Sequence, residues 1–500
     1  MTHEVVVVGG GLGGLTAAAL LAARGVNVCL LEKEAQAGGC AATFQKFGHT
    51  FESTASLYAG WHPGEIHERV FAELPVEAPG VSPVSPAYVV RLPDKTEVAL
   101  CVDDEAFESD LRAAFPECAE AAVSFYREIA PIGGALQRGA ARVPDLATAS
   151  RVRRLRATAP EALVIKRILA SANHTTAEHL TKTSTRFRRF IDVQLQTFAQ
   201  CASEECAYLY ACVALSLPRN GLHSIRGGAS ALTDALIASI KKSGGLVRLN
   251  TPVLRLAYDA SGRATGVDLL NGERIEATRA IISNLTVWDT YGKLIGMNRT
   301  PEEIRRKLKI SRGWGAYLLY LSISEAAAAR LPAHHILSLA DWQEGQAYDA
   351  EASQFMFAAA HEGDARAPAG SRAVTVSTFT EASQWFAFHE DETEHETQDQ
   401  QMLERCWKLL HAAMPELGDQ IEIIETATPR TFYENTRRKL GMVGGVGQSL
   451  SLFGSNSWTH RTPLPNLFLV GDTTFPGNGV AAVTHSALIV ANELATAHKR

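Results

Sequence analysis

Residues 5–32 leave few folds open to this chain of 500 residues. Val5 to Val8 is an unbroken β-branched run, as a strand buried on both faces requires. Gly9, Gly11 and Gly14 follow at the spacing G-x-G-x-x-G. An apolar helical stretch runs from about Leu12 to Arg24, Gly25 stops it, and Val26 to Glu32 reads as a second strand. The first glycine permits a tight turn, and the second lets backbone approach a pyrophosphate. The third lets the helix pack closely on the strand, so that its N-terminus faces the phosphates. Alone, the spacing is weak. With an acid ending the second strand it predicts a dinucleotide-binding βαβ unit. The Glu32 carboxylate would accept from both ribose hydroxyls and disfavour a 2′-phosphate.

Two further blocks narrow the dinucleotide. Glu32-Lys33 is followed after four residues by Gly38-Gly39, then by Phe47-Gly48-x-x-Phe51-Glu52. A glycine pair just past the acid lets the chain cross close over a pyrophosphate, which nicotinamide enzymes do not require, and this favours FAD. Near the C-terminus, the buried strand Leu467–Val470 leads into Gly471-Asp472-Thr473-Thr474-Phe475-Pro476-Gly477-Asn478-Gly479-Val480 and a helix from Val480 to Ala497. Asp472 there can bind ribityl hydroxyls. The helix N-terminus can face the flavin pyrimidine edge, where reduction deposits negative charge.

Between these blocks the texture is helical from about Trp61 to Leu217, with breaks at Pro93, Pro116, Pro131, Pro144 and Pro160. Strand patterns follow at Leu246–Tyr258, Ala264–Leu270, Ala280–Ser283, Ala316–Ser324, Ala373–Phe379 and Ile421–Thr426, with a helix over Asp399–Met414. The length exceeds what one core supports, and the cofactor signals lie in separated blocks. The expected division is FAD-binding segments at 1–70, 223–295 and 441–500, with substrate-domain segments at 71–222 and 296–440. The expected class is α/β.

Composition excludes more than it assigns. An apolar fraction of 46% and a charged fraction of 20% describe an ordinary folded chain, and a net charge of −6 gives no support for a nucleic-acid partner. Eight cysteines without a CxxC pair read as reduced thiols in a cytoplasmic protein. Cys201, Cys206 and Cys212 are expected as buried apolar groups on one helix. The apolar stretch Val5–Ala23 lacks a basic leader and is interrupted by glycines, so it suits phosphate binding and not membrane insertion. Peripheral contact with a membrane surface stays open.

A fourth block makes a family resemblance specific. Arg226-Gly227-Gly228-Ala229 opens a helix, Gly244-Gly245 precedes a strand, and Ala280-Ile281-Ile282-Ser283-Asn284-Leu285-Thr286-Val287-Trp288-Asp289-Thr290 follows. The four blocks, in this order, resemble the carotenoid desaturase, carotenoid isomerase and retinol saturase group of flavoproteins, the phytoene desaturase-like enzymes. SNLTVWDTYGKL and VGDTTFPGNGVAAV are similar to the isomerase pattern. Phe190-Ile191-Asp192-x-Gln194-Leu195, continued by Ala214-Leu215-Ser216-Leu217-Pro218-Arg219-x-Gly221, is similar to bacterial desaturases. The resemblance implies a Rossmann-type, GR2-like FAD domain interleaved with an α+β substrate domain of mixed or antiparallel sheet and helices. It implies that Gly9, Gly11 and Gly14 hold the pyrophosphate and that Glu32 and Lys33 line the adenosine. Gly38, Gly39 and Cys40 would sit over phosphate and flavin, with Ser56 near them. Val253 would meet adenine through its backbone, and Gly471, Asp472 and Val480 would hold the ribityl chain and flavin ring. Two departures stand out: Cys40 occupies a place where a basic residue or serine is commoner, and Glu52-Ser53-Thr54-Ala55-Ser56 replaces an Asp-x-Gly-Ser-like run.

Other signals are bland by comparison. The stretch Arg151–Phe190 carries ten basic residues against Glu161 and Glu178; it reads as a solvated face, with anionic lipid as the alternative. His389 and His395, with the acids between them, read as an acidic helix start, and no metal site is expected. Trp288 and Trp458 fit core packing, or the wall of an apolar tunnel, and His49 is an ordinary histidine.

No second dinucleotide unit for NAD(P)H is visible, and no nucleophile–base pairing suggests hydrolysis. The expectation is therefore a flavin-driven oxidoreductase acting on a carbon–carbon bond of a long apolar isoprenoid, a carotenoid or related polyene. Such a substrate needs an apolar tunnel that holds one C–C unit about 3–3.5 Å from the flavin. Desaturation, isomerisation and saturation are equally compatible. One rival is an FAD amine oxidase, which needs an aromatic cage, and the closing segment offers Phe475 without a clear partner. Another is a non-enzymatic lipid carrier of the GDP-dissociation-inhibitor type, against which the intact glycines and Asp472 argue.

Overall fold

The computed structural model describes residues 1–53, 56–145, 149–150, 152–153, 159–387, 392–419 and 421–496. Its first sheet draws seven strands from three distant stretches of chain. These are β1 (Thr2–Val8), β2 (Val28–Leu31), β3 (Leu246–Arg248), β4 (Val253–Tyr258), β5 (Ala264–Leu269), β6 (Arg274–Ser283) and β7 (Leu467–Leu469). Five of them run parallel in the order β7-β6-β1-β2-β3. The hairpin β4–β5 joins antiparallel to the first three residues of β6, while β7 pairs with its last three. Val5–Val8 of β1, β2 and β7 are apolar on both faces because helices cover one side and other core the rest. Helix α1 (Leu12–Ala23) is buried from Leu12 through Ala22. It shares one core with α2 (Ala229–Lys242) and α3 (Val480–Thr496), which explains an Ala/Leu sequence with no polar face.

The stretch expected as one strand from Leu246 to Tyr258 is two. Asn250 takes a left-handed backbone (φ 50°), and the amides of Asn250 and Thr251 turn aside to donate to Glu34 O and Glu32 O. Pro252 has no N–H to offer a ladder.

A second sheet of seven strands has the order Ile421–Ala427, Gly315–Ser324, Ser371–Thr380, Gln354–Ala359, His335–Leu339, Tyr88–Arg91, Glu97–Leu100. All neighbours are antiparallel except His335–Leu339 with Tyr88–Arg91. The last two strands correct the reading of 61–217 as helical. Tyr88–Arg91 is four residues long and buried throughout, too short to show a period, and Pro93 marks a hairpin turn closed by Lys95 N to Leu92 O, not a helix break. Beyond them the helices Ala119–Arg142, Thr185–Ala199 and Tyr208–Asn220 share a large apolar core. Cys201, Cys206 and Cys212 are all buried in it, but only Cys212 lies on a helix. Cys201 and Cys206 occupy the connection after Ala199, where Gln200 is left-handed. Among the described residues no helix is long and apolar enough to cross a membrane.

Candidate functional site

Strands β6, β1, β2 and β7 end level with one another: Val8 pairs with Leu31 and Ser283, and Ser283 with Leu469. Each then delivers a site residue from its carboxyl end. β1 delivers Gly9–Gly14, β2 delivers Glu32, β6 delivers Asn284, and β7 delivers Gly471 and Asp472. The chain runs from β1 outward through β2 to β3, then returns to β6 and β7 on the other side of β1. The gap between β1 and β6 is thus the point where strand order reverses, where an open parallel sheet binds its ligand.

The turns converge there. A Cβ added to Gly14 would lie 2.2 Å from Gly9 O, so helix and turn meet at a distance only glycine allows. A Cβ on Gly13 would lie 3.2 Å from Gly471 N, which joins the first turn to the closing one. Gly38 N donates to Gly10 O at 2.8 Å, and Gly39 approaches Gly11. Asn284 is wedged between the two turns; its amide lies 2.6 Å from the Cβ positions of both Gly11 and Gly13. The sequence marks it only as part of the Ala280–Thr290 block. Its place next to the first strand's carboxyl end is the signal that marks it.

The Glu32 carboxylate accepts from Gly10 N at 2.6 Å and Glu34 N at 2.9 Å. Each oxygen keeps a second lone pair. Thr251 N donates to Glu32 O, so the β3–β4 connection and Val253 after it lie along this edge. Lys33 pairs with Glu34 and reaches Glu434 O at 3.4 Å, a neighbour from the helix Pro429–Thr436.

On the other side Asp472 meets Arg438, Oδ2 to Nη2 at 2.8 Å, and Arg438 Nε donates to Met442 O at 2.7 Å. Burial works against the guanidinium charge, yet the Asp472 carboxylate, by its charge and its hydrogen bond, raises its pKa. Burial pushes the Cys40 thiol up, against the pull of Arg438, so residue 40 brings no charge. Val480 opens α3, half-buried. Ser56, left-handed at φ 54°, donates its hydroxyl to Glu52. Glu52 also takes the Tyr58 hydroxyl, Ala229 N at 2.7 Å and the Arg366 guanidinium. Sequence reasoning missed Asn284, Arg438 and the Glu52–Arg366 contact. The last two join residues at least 34 apart in the chain, and no local pattern marks either arginine.

The set-aside residues also have places. His49 is buried, bonded to Phe47 O and Ser322 Oγ. Trp288 and Trp458 lie in one core cluster with Tyr291. Phe475 lines a small cavity with Phe453 and Trp458, aromatic neighbours that its own segment did not supply. Within the basic stretch, Glu161 pairs with Arg138 and Arg142, and Arg186 with Asp94. Thr54, Ala55, Arg151, Arg154, Arg156, His389, Glu390 and Asp391 lie outside the described residues.

A flavin dinucleotide fits what is present. No side chain caps the N-terminus of α1 and no acid lies in its first turn, which leaves a helix end free for a diphosphate. Comparison with known proteins gives the same answer. The sequence pattern of the flavin-containing amine oxidoreductases matches residues 12–495. The chain belongs to this family. It is an FAD-dependent oxidoreductase. Relatives include prolycopene isomerase 1, chloroplastic, of an Oncidium hybrid cultivar, 26% identical over 518 residues, covering 99% of this chain and 84% of that one. Human all-trans-retinol 13,14-reductase is 22% identical, covering 97% and 84%. Among solved structures, a putrescine oxidase with redesigned cofactor binding superposes with a TM-score of 0.65 at 14% identity over 99% of both chains. That likeness is one of fold, and it agrees with a Rossmann-type FAD domain joined to a substrate domain.

Proposed function

We propose that this oxidoreductase acts on a carbon–carbon bond of a long apolar isoprenoid, a carotenoid or related polyene. The carrying observation is near-full-length likeness to a prolycopene isomerase and a retinol reductase, enzymes whose names place them on such molecules. FAD supplies the redox chemistry when bound. The chain's own residues hold it and exclude water. Gly9, Gly11 and Gly14, with Gly38, Gly39 and the open end of α1, take the diphosphate. Glu32, Lys33 and the Val253 backbone take the adenosine side. Cys40, Ser56, Gly471, Asp472 and Val480 take the ribityl chain and ring, and α3 turns its positive end toward the ring. The cofactor-binding segments are 1–70, 223–295 and 441–500, with substrate segments between them. An apolar substrate gives few polar handles, so shape and burial orient it.

The test is direct. Purified holoprotein incubated anaerobically with acyclic cis- and trans-carotenoids, with the flavin oxidised and then reduced, is expected to change the polyene spectrum in one of the two states. No change in either, with oxygen uptake on a panel of amines instead, would move the assignment to amine oxidation, and the cavity of Phe453, Trp458 and Phe475 would become its cage.

A further inference from the structure

Arg438 is placed with unusual care for a residue in a connecting segment. Arg437 and Leu440 on either side of it have left-handed backbones, φ 55° and 51°, although neither is glycine. The segment is clamped across that strain: Lys293 Nζ donates to Arg437 O at 2.9 Å, and Lys439 N donates to Asp289 Oδ2 at 3.0 Å. Strained positions held by their surroundings gather where a side chain must be aimed. The side chain so aimed brings its charge beside Cys40 and Asp472. Nε and Nη2 are taken by Met442 O and Asp472, and no oxygen among the described residues engages Nη1.

The charges around it say what it faces. Asp472 alone would repel a diphosphate, and the Cys40 thiol, held neutral by burial, offers nothing to offset it. A guanidinium on Asp472 removes that repulsion and fixes the carboxylate's orientation. It also holds the guanidinium fork in a fixed orientation beside Cys40 and Asp472. We infer that Arg438 is a cofactor-positioning residue, which orients Asp472 and holds the site's fixed positive charge against the flavin's diphosphate and ribityl side. The inference rests on the flavin-site assignment above. A purely structural ion pair would behave differently, because replacing both charges by neutral groups is then close to neutral for every property of the site. A charge held against the cofactor instead favours the reduced, more anionic flavin over the oxidised one.

The experiment titrates apoprotein with oxidised FAD and, anaerobically, with dithionite-reduced FAD. R438M is expected to weaken oxidised FAD at least tenfold and reduced FAD by a further factor of about three, since one charge lost next to the site costs the anion more. R438K, which keeps the charge and loses the fork, should recover the ratio of the two affinities but not their full strength. R438M binding both forms within twofold of the unmodified protein overturns the inference. Should R438M fail to fold, the double variant D472N/R438M leaves neither charge buried alone and gives the same readout. Loss of the preference for reduced FAD upholds the role, and a preserved preference overturns it. Failure of the site assignment looks different: unmodified apoprotein that binds no FAD, or a G11A/G14A variant that binds it undiminished.

Discussion

Glu52 and Asp472 are both carboxylates joined to an arginine from far along the sequence, yet they are finished in opposite ways. Glu52 takes four donors, from Ser56, Tyr58, the start of α2 and Arg366, and Arg366 is held again by Asp364 at 2.7 Å. Its side chain is 1% exposed. Asp472 takes one side-chain donor, Arg438, and stays 18% exposed. A carboxylate accepts at about four places. Glu52 has used its capacity on the protein and can do nothing but tie segments together. Asp472 keeps most of its capacity unused by the described residues, as the proposed cofactor site requires. Saturation, more than charge, is what distinguishes the two acids.

The largest effect should come from breaking the closed pair. Glu52→Gln leaves Arg366 with half of its partners in the core and is expected to destabilise the fold by about 3–5 kcal/mol, read as a lower urea midpoint. Asp472→Asn should cost less by the same measurement, because Arg438 and Asp472, 15% and 18% exposed, keep more contact with water than Arg366 and Glu52 do. Equal shifts from the two would erase the distinction.

Acid should loosen the closing segment that carries Asp472. His460 braces the closing segment, donating Nδ1–H to Leu469 O at 3.1 Å, and burial pushes its imidazole down to about 4. A histidine lowered in the fold contributes stability that is complete above its unfolded value of about 6.5 and is lost as pH falls toward 4, on the order of 3 kcal/mol. His67, on the short helix Ile66–Phe71 and pushed by burial to about 3, is also neutral in the fold through that window and adds a loss of the same sign. FAD fluorescence should rise between pH 6 and 4, before far-UV circular dichroism is lost, and His460→Asn should flatten that rise.

What the sequence made legible follows the same division. The β1–α1–β2 unit, Glu32 and the Gly471–Asp472 turn were readable because each is a short-range pattern: glycines at fixed spacing, an acid at a strand end, a buried strand before a helix. Their convergence was inferable from strand chemistry alone. Glu52–Arg366 and Asp472–Arg438 were not, because the contact is made across 314 and 34 residues by side chains whose local surroundings are ordinary. Tyr88–Arg91 was missed for another reason. Four residues buried on both faces have no period, and only their neighbour His335–Leu339 explains them.

The glycine turn is the point where the legible pattern meets the open site. Gly14→Ala places a methyl 2.2 Å from Gly9 O, so helix α1 must move off the turn. Overpacking of this kind costs about 1–3 kcal/mol. Because the displaced end is uncapped and is the one proposed to meet the diphosphate, the flavin absorbance of the purified protein should fall together with the stability. A variant that loses stability but keeps full flavin content would show that the turn serves packing alone.

The smallest effect calibrates the rest. Arg127 grips Glu108 at 2.6 Å through two nitrogens, the same pairing of groups that joins Glu52 to Arg366, but Arg127 is 64% exposed. Water screens that pair in the fold, so Arg127→Ala should leave the urea midpoint nearly unchanged. If the exposed pair proved as costly to break as Glu52–Arg366, desolvation could not be what makes the buried one matter, and the contrast between closed and open carboxylates would have to rest on geometry alone.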